Sequence, residues 1–362
     1  MKKRLLSALL CVAMVASLVV GCGAKEEPAA EAPAATEEAA PAEKEEAAAP
    51  ANDNVYALIV KSAGNPYNEK EAEGFTTALD ELGYKYVVKY PEQATADAQI
   101  TMINELVAQN VSSIAIAAND ADALQPALTA AANAGIKVCS VDSGTNAASR
   151  LVHVNQAGTQ IIGQTLMDAI LDLSGGEGQW AVLSAASTAT NQNAWIDAMK
   201  EVMAGDAYAD LELVEVAYGD DEYQKSVDQT QALLANYPDL KVICAPTTVG
   251  IMAAGKVLQD AKSSVKLTGL GLPSEMADYI GADDAHSCPY MYLWNPIDLG
   301  KLAAYVSVAL VDGTITGAAG ETFACDLGDY EIVEAADGGT EIIAGPPFAF
   351  TPENIEEWKT VY

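Results

Sequence analysis

Lys61, Asn65, Tyr67, Asp142, Asn191, Gln192, Trp195, Pro246, Thr248 and Trp294 share one circumstance: each stands at, or shortly beyond, the carboxyl end of a short apolar run. In a parallel α/β sheet those ends are where ligands sit. The set holds one ammonium, one carboxylate, three amides, two hydroxyls and three aromatic rings. Amides and carboxylates offer paired donors and acceptors to hydroxyl groups, and aromatic faces cover the apolar C–H side of a sugar. Lys61 opposite Asp142 lets one positive and one negative group share a neutral ligand without net buried charge. The chemistry is reversible binding. Each residue also has a plainer reading: Asp142-Ser143-Gly144 is a turn sequence, lysines are usually solvated, and tryptophans anchor cores.

Catalytic readings lack parts. His153 and His286 are the only histidines and lie far apart in the chain, which removes a histidine-based zinc site and a general-base dyad. Gly175-Gly176-Glu177-Gly178 has no following Lys-Ser/Thr and precedes a strand, unlike a phosphate loop. Gly219-Asp220-Asp221-Glu222 does not have EF-hand spacing and is read as a helix cap. No metal, no cofactor and no enzyme activity are expected.

The elements that must position these residues alternate. Val55 to Val60 is a continuous apolar strand, followed by the loop Lys61 to Tyr67 and a helix from Asn68 to Leu82. The pattern predicts strands at Tyr84 to Tyr90 and Ser112 to Ala117, helices at Thr95 to Gln109 and Asp120 to Ala134, then the strand that ends at Asp142. A long helix, Gln156 to Leu173, leads through the glycine run into a second series. Its strands fall at Trp180 to Leu183, Leu211 to Val216, Val242 to Ala245 and Lys266 to Leu270. Its helices fall at Asn191 to Met203, Tyr223 to Asn236, Val249 to Ala261 and Ser274 to Ile280. Right-handed βαβ crossovers then give an α/β protein of two doubly wound parallel-sheet lobes. A strand at Met291 to Trp294 and a helix at Asp298 to Val311 are assigned to completing the first lobe, with short antiparallel strands after Cys325. The expected division is 55–156 plus 293–325 for the first lobe, 157–292 plus 326–350 for the second, and 351–362 as a tail. A chain that crosses between lobes more than once leaves a cleft that can hinge.

Composition narrows the partner. The chain carries 51 Asp and Glu against 19 Lys and Arg, a formal net charge of −32, so nucleic-acid binding is electrostatically opposed. Beyond residue 54, Arg150 is the sole arginine, which argues against a phosphate or carboxylate held by guanidinium groups. Cys139 and Cys244 fall on predicted buried strands. Free thiols are the expectation for them and for Cys288 and Cys325, with a bridge between the last two left open.

The N-terminus is an address. Met1-Lys2-Lys3-Arg4 and the apolar stretch Leu5 to Val20 have the charged and hydrophobic regions of a secretory signal. Leu18-Val19-Val20-Gly21-Cys22 resembles the lipobox of bacterial lipoproteins, which implies a signal peptide over 1–22 and lipidation at Cys22. Residues 23–54 are nearly all Ala, Glu and Pro and read as a disordered tether.

From about Val55 to Phe350 the sequence resembles type I periplasmic-type substrate-binding proteins of ATP-binding-cassette (ABC) importers, in the rhamnose-binding and autoinducer-2-binding branch. The resemblance is carried by Lys61-Ser62-Ala63-Gly64-Asn65, Ala118-Asn119-Asp120-Ala121-Asp122-Ala123-Leu124, Val141-Asp142-Ser143-Gly144 and Thr190-Asn191-Gln192-Asn193-Ala194-Trp195. Ala245-Pro246-Thr247-Thr248-Val249-Gly250, Thr268-Gly269-Leu270-Gly271-Leu272-Pro273-Ser274-Glu275-Met276 and Trp294-Asn295-Pro296-Ile297-Asp298-Leu299-Gly300 complete it. It implies two lobes joined by a three-strand hinge, one small ligand bound between them, a membrane permease as partner, and a monomer lipid-anchored on the extracytoplasmic face of the bacterial membrane. Autoinducer-2 receptors of the branch use Lys, Asp, an Asp-Gln pair, Pro and Ala. The matching positions here read Lys61, Asp142, Asn191 with Gln192, Pro246 and Thr248, and the two departures resemble the rhamnose-binding pattern. A neutral deoxy-sugar such as rhamnose is the implied ligand. Autoinducer-2 is the alternative, and a sensor partner of a membrane kinase is a further one. A transcriptional repressor on the same lobes is disfavoured by the signal sequence and by the lack of a helix-turn-helix before Val55.

Overall fold

The structure, a computed structural model, describes residues 53–362. The expected signal peptide, Cys22 and the tether up to residue 52 lie outside them. In chain order the first series is β1 (Val55–Ile59), α1 (Pro66–Glu81), β2 (Lys85–Lys89), α2 (Ala96–Ala108), β3 (Ser113–Ile116), α3 (Ala121–Asn133), β4 (Lys137–Val141) and β5 (His153–Asn155). The second is α4 (Thr159–Ser174), β6 (Gly178–Ser184), α5 (Thr190–Met203), β7 (Leu211–Tyr218), α6 (Tyr223–Asn236), β8 (Leu240–Ala245), α7 (Thr248–Asp260), β9 (Lys266–Gly269) and α8 (Pro273–Met276). Then follow β10 (Met291–Leu293), α9 (Pro296–Asp312), β11 (Thr322–Cys325), β12 (Gly328–Glu331), β13 (Val333–Glu334), β14 (Thr340–Ile343), β15 (Phe348–Phe350) and α10 (Ile355–Trp358).

Two sheets organise the molecule. One has seven strands in the order β13-β14-β5-β4-β3-β1-β2, the other four in the order β7-β6-β8-β9. Every neighbouring pair among β1 to β9 within these sheets is parallel. Such strands are covered on both faces, which is why β1, β3, β6 and β8 read as near-continuous apolar runs. On one face of the first sheet, Ile103 and Leu106 of α2 and Leu124 and Leu128 of α3 pack on Ala57, Ile59, Ile114 and Ile116. On the other, Phe75 and Leu79 of α1 lie with Leu299, Leu302 and Val306 of α9 in the larger core, which continues into the second lobe.

α9 follows the second series yet packs on the first lobe, against α1 and β4, as expected from the sequence. The two helices touch closely because they are notched: a methyl group on Gly74 would run into the Ile297 carbonyl, and one on Gly300 into the Glu71 carbonyl. The chain passes between the sheets three times, from β5 to α4, from β10 to α9, and from β14 to β15.

Three expectations need correction. Met291–Leu293 does not complete the first lobe: it pairs with β15, and Tyr292 bridges to Leu270 just after β9 of the second sheet. Strand β5, only three residues long, was not foreseen; too short to show a period, it is fixed by the parallel partners β4 and β14. The assignment of all of 326–350 to the second lobe is also wrong in part. Thr340–Ile343 adds to the first sheet beside β5, and only Phe348–Phe350 turns back to pair with β10. Cys139, Cys244, Cys288 and Cys325 are all free thiols, the first three buried.

Candidate functional site

The ten residues singled out at strand ends line one cavity of about 390 Å³ between the two lobes. From the first lobe come Lys61 after β1, Asn65 and Tyr67 at the start of α1, and Asp142 after β4. From the second come Asn191, Gln192 and Trp195 on α5, and Pro246 and Thr248 at the start of α7. Trp294 stands where the chain crosses between β10 and α9. Asn68, Asp221, Thr247, Leu270 and Leu293 complete the wall.

Local structure aims each side chain. Asn65 caps α1, its Oδ1 accepting from Tyr67 N at 3.0 Å, and Pro66 fills the first helical position, so the Asn-Pro pair sets where Tyr67 points. Asn68 is buried and donates to the Ser62 carbonyl at 2.8 Å, closing the loop that carries Lys61. That loop is braced from beneath: Asn119 donates to the Lys61 carbonyl at 2.9 Å, and Gln99 donates to the Val60 and Ala117 carbonyls. Asp142 has a φ of 57°, in the left-handed region that Asp tolerates better than most residues, and turns sharply out of β4. Asp142 is thus a turn residue whose carboxylate also lines the cavity.

Polar groups from the two lobes meet directly. Lys61 is buried, and its Nζ donates to Asn191 Oδ1 and Gln192 Oε1, each at 3.1 Å. Asn191 Nδ2 donates in turn to Asp142 Oδ2 at 3.1 Å. Trp294 Nε1 donates to the Tyr67 hydroxyl at 2.7 Å, which donates to Asp142 Oδ1 at 3.1 Å. Lys61 thus serves the opposite lobe's amides instead of forming a direct ion pair with Asp142. Trp195 and Trp294 meet edge to face with centroids 5.7 Å apart, both almost fully buried and both on the cavity wall.

Burial dominates the electrostatics. It pushes the Asp142 carboxyl up to about 6, with Asp221 adding to the rise, while the Lys61 charge and the bonds from Tyr67 and Asn191 oppose it. Glu71, one turn along α1 from Tyr67, is completely buried with neither carboxylate oxygen partnered. Its pKa is raised well above the carboxylate range, by burial first and by Asp142 second.

Asp221 joins the wall from the loop after β7. Its acidic run reads from the sequence as a helix cap, but the N-cap position of α6 is Glu222, which makes no side-chain capping bond. Asp220 pairs with Lys225, and Asp221 turns inward to accept from the Thr247 hydroxyl at 2.5 Å. Asp220 and Asp221 both have positive φ, 54° and 55°, and that paired turn swings the Asp221 carboxylate to the cavity.

Two doubly wound lobes with a polar and aromatic cavity between the tips of their strands define a bilobal solute receptor, and residues 56–315 match the periplasmic binding protein domain family. The chain belongs to that family, whose members bind solutes outside the cytoplasm and are not enzymes, and it is a solute-binding protein of the sugar ABC-transporter class. The solved structure of an ABC transporter solute-binding protein from Clostridium phytofermentas with bound L-rhamnose is 65% identical, covers 86% of this chain and 99% of that one, and superposes with a TM-score of 0.85. LsrB from Clostridium saccharobutylicum in complex with AI-2 shares the fold at 20% identity, with a TM-score of 0.78 over 84% of this chain and 99% of that one. The D-apiose import binding protein of Actinobacillus succinogenes is 23% identical over 235 residues, 64% of this chain and 72% of its own.

Proposed function

We propose that this protein captures L-rhamnose, or a closely similar neutral deoxy-sugar, in the cavity between its lobes and presents it to a membrane permease. In this reading Lys61, Asn191, Gln192 and Asp142 exchange the bonds they make with one another, and Asp221 its bond from Thr247, for bonds to sugar hydroxyls. Trp195, Trp294 and Tyr67 cover the C–H faces, Thr248 adds a hydroxyl, and Pro246 and Asn65 shape the wall. The protein works as a monomer, held at the outer face of the membrane by a lipid on Cys22.

The observation that carries the reading is the convergence of all ten residues on one cavity that no arginine lines, in a chain 65% identical to a protein holding L-rhamnose. A ligand at a thousand times its Kd stabilises the folded state by about 4 kcal/mol, enough to raise the melting temperature by several degrees. A thermal-shift panel of L-rhamnose, D-apiose, D-ribose and autoinducer-2 should therefore single out L-rhamnose. A shift with autoinducer-2 alone would move the protein to a signalling role, and silence from every sugar would remove the proposal. Replacing Cys22 with Ala should release the protein from membranes into the medium, and retention at the membrane would contradict the anchor.

A further inference from the structure

Beside the sugar cavity lies a larger one, with about 1090 Å³ of empty volume. Asp142, Asn191 and Trp195 line both. The partition between the two spaces is thus the 3.1 Å hydrogen bond from Asn191 to Asp142, with the Trp195 ring alongside. Beyond it the walls are mixed. Gln156, at the first crossing between lobes, is 1% exposed, and neither its amide oxygen nor its nitrogen has a partner. Arg150 reaches the same space; its Nη2 holds Asp337, while its Nε is buried and unpartnered. Asn155 and Glu341, bonded to each other, also face it, and Ala194 forms part of the rim. Buried amides are nearly always paired, so one left open at the edge of a cavity points to a bound group that pairs it.

We propose that this second cavity is a subsite for a second sugar unit, so that the protein accepts its deoxy-sugar as part of a disaccharide. The inference rests on the sugar reading of the first cavity. Small and aromatic walls suit the C–H faces of a pyranose, and the amide and guanidinium groups suit its hydroxyls. The glycosidic link crosses where Asn191 and Asp142 now bond. Its oxygen accepts from Asn191 Nδ2, and a neighbouring hydroxyl donates to Asp142 Oδ2, so both protein groups keep a partner.

Titration calorimetry on the full chain tests this with L-rhamnose, with rutinose (rhamnose linked to glucose) and with 4-nitrophenyl α-L-rhamnoside. Rutinose should bind within about tenfold of L-rhamnose. Gln156→Leu removes the open amide, and Ala194→Tyr fills the space from the exposed rim of α5. Each should weaken rutinose at least tenfold while leaving L-rhamnose within about threefold. Ala194→Tyr keeps the test valid if Gln156→Leu fails to fold. Binding of L-rhamnose without rutinose would overturn the subsite and leave the sugar reading standing. Rutinose binding unchanged in both variants would overturn it too, as would binding of the nitrophenyl glycoside in place of rutinose. Silence from all three would take down the sugar reading itself.

Discussion

Asp142 answers two opposed demands, and pH separates them. Burial raises its pKa from the ordinary carboxylate value to about 6, so the folded, unliganded protein holds this proton more tightly than the unfolded chain does. Stability from this group is greatest at low pH and declines as pH rises from about 4 to about 6. Sugar binding calls on the carboxylate as an acceptor and runs the other way. The Kd for L-rhamnose should be level between pH 7 and 8 and about tenfold weaker at pH 5, read by calorimetry in matched buffers. His153, pushed down to about 3 by burial and Arg150, stays neutral across that window and does not blur the result. At the same scale, Asp221→Ala should weaken the sugar by about 10- to 100-fold, the effect of losing a charged hydrogen bond, with little change in melting temperature. An unaltered Kd would return Asp221 to a loop role. Lys61 and Asp142 were legible because each directly follows an unmistakable buried strand. Asp221 also follows a strand, but its acidic run reads equally as a solvated helix cap, and it is the left-handed backbone that turns it inward.

At the scale of elements, the site depends on helix starts. α1 and α5 carry Tyr67 and Asn191 in their first turns, and α9 begins two residues after Trp294. The packing of α1 on α9 fixes Tyr67 against Trp294, and that packing rests on two glycines. Gly74→Ala and Gly300→Ala would each push a methyl group into the facing backbone, so each should cost about 1–3 kcal/mol of stability, measured by denaturant unfolding. Each should also weaken the sugar, because the Tyr67–Trp294 bond is strained with it. Full stability in either variant would show that the helices have room to part. Helix spans and most strands were readable from apolar periodicity and capping residues. The joining of β14 to β5 was not, since Asn155 and Glu341 lie 186 residues apart and nothing local marks their pairing.

At the scale of the whole molecule, the two lobes are expected to close on the ligand. The bonds from Lys61 to Asn191 and Gln192, and from Asn191 to Asp142, run from lobe to lobe through the cavity, and three chain crossings allow the lobes to part around them. Small-angle scattering should therefore give a smaller radius of gyration with L-rhamnose than without, and identical values would argue for a rigid cleft. The two-lobed plan was visible in the repeated alternation of strands and helices. The direct contact of one lobe's ammonium with the other's amides was not, because sequence order does not say which strand ends face each other. The central claim is that this contact region is the sugar site. Asp142→Asn tests it most directly, since Asn also tolerates the positive φ and keeps the shape of the side chain. Titration of L-rhamnose should give one site at micromolar Kd or tighter in the unaltered chain and at least 100-fold weaker binding in the variant, whose melting temperature at pH 7 does not fall. Equal affinity in the two proteins would contradict the account.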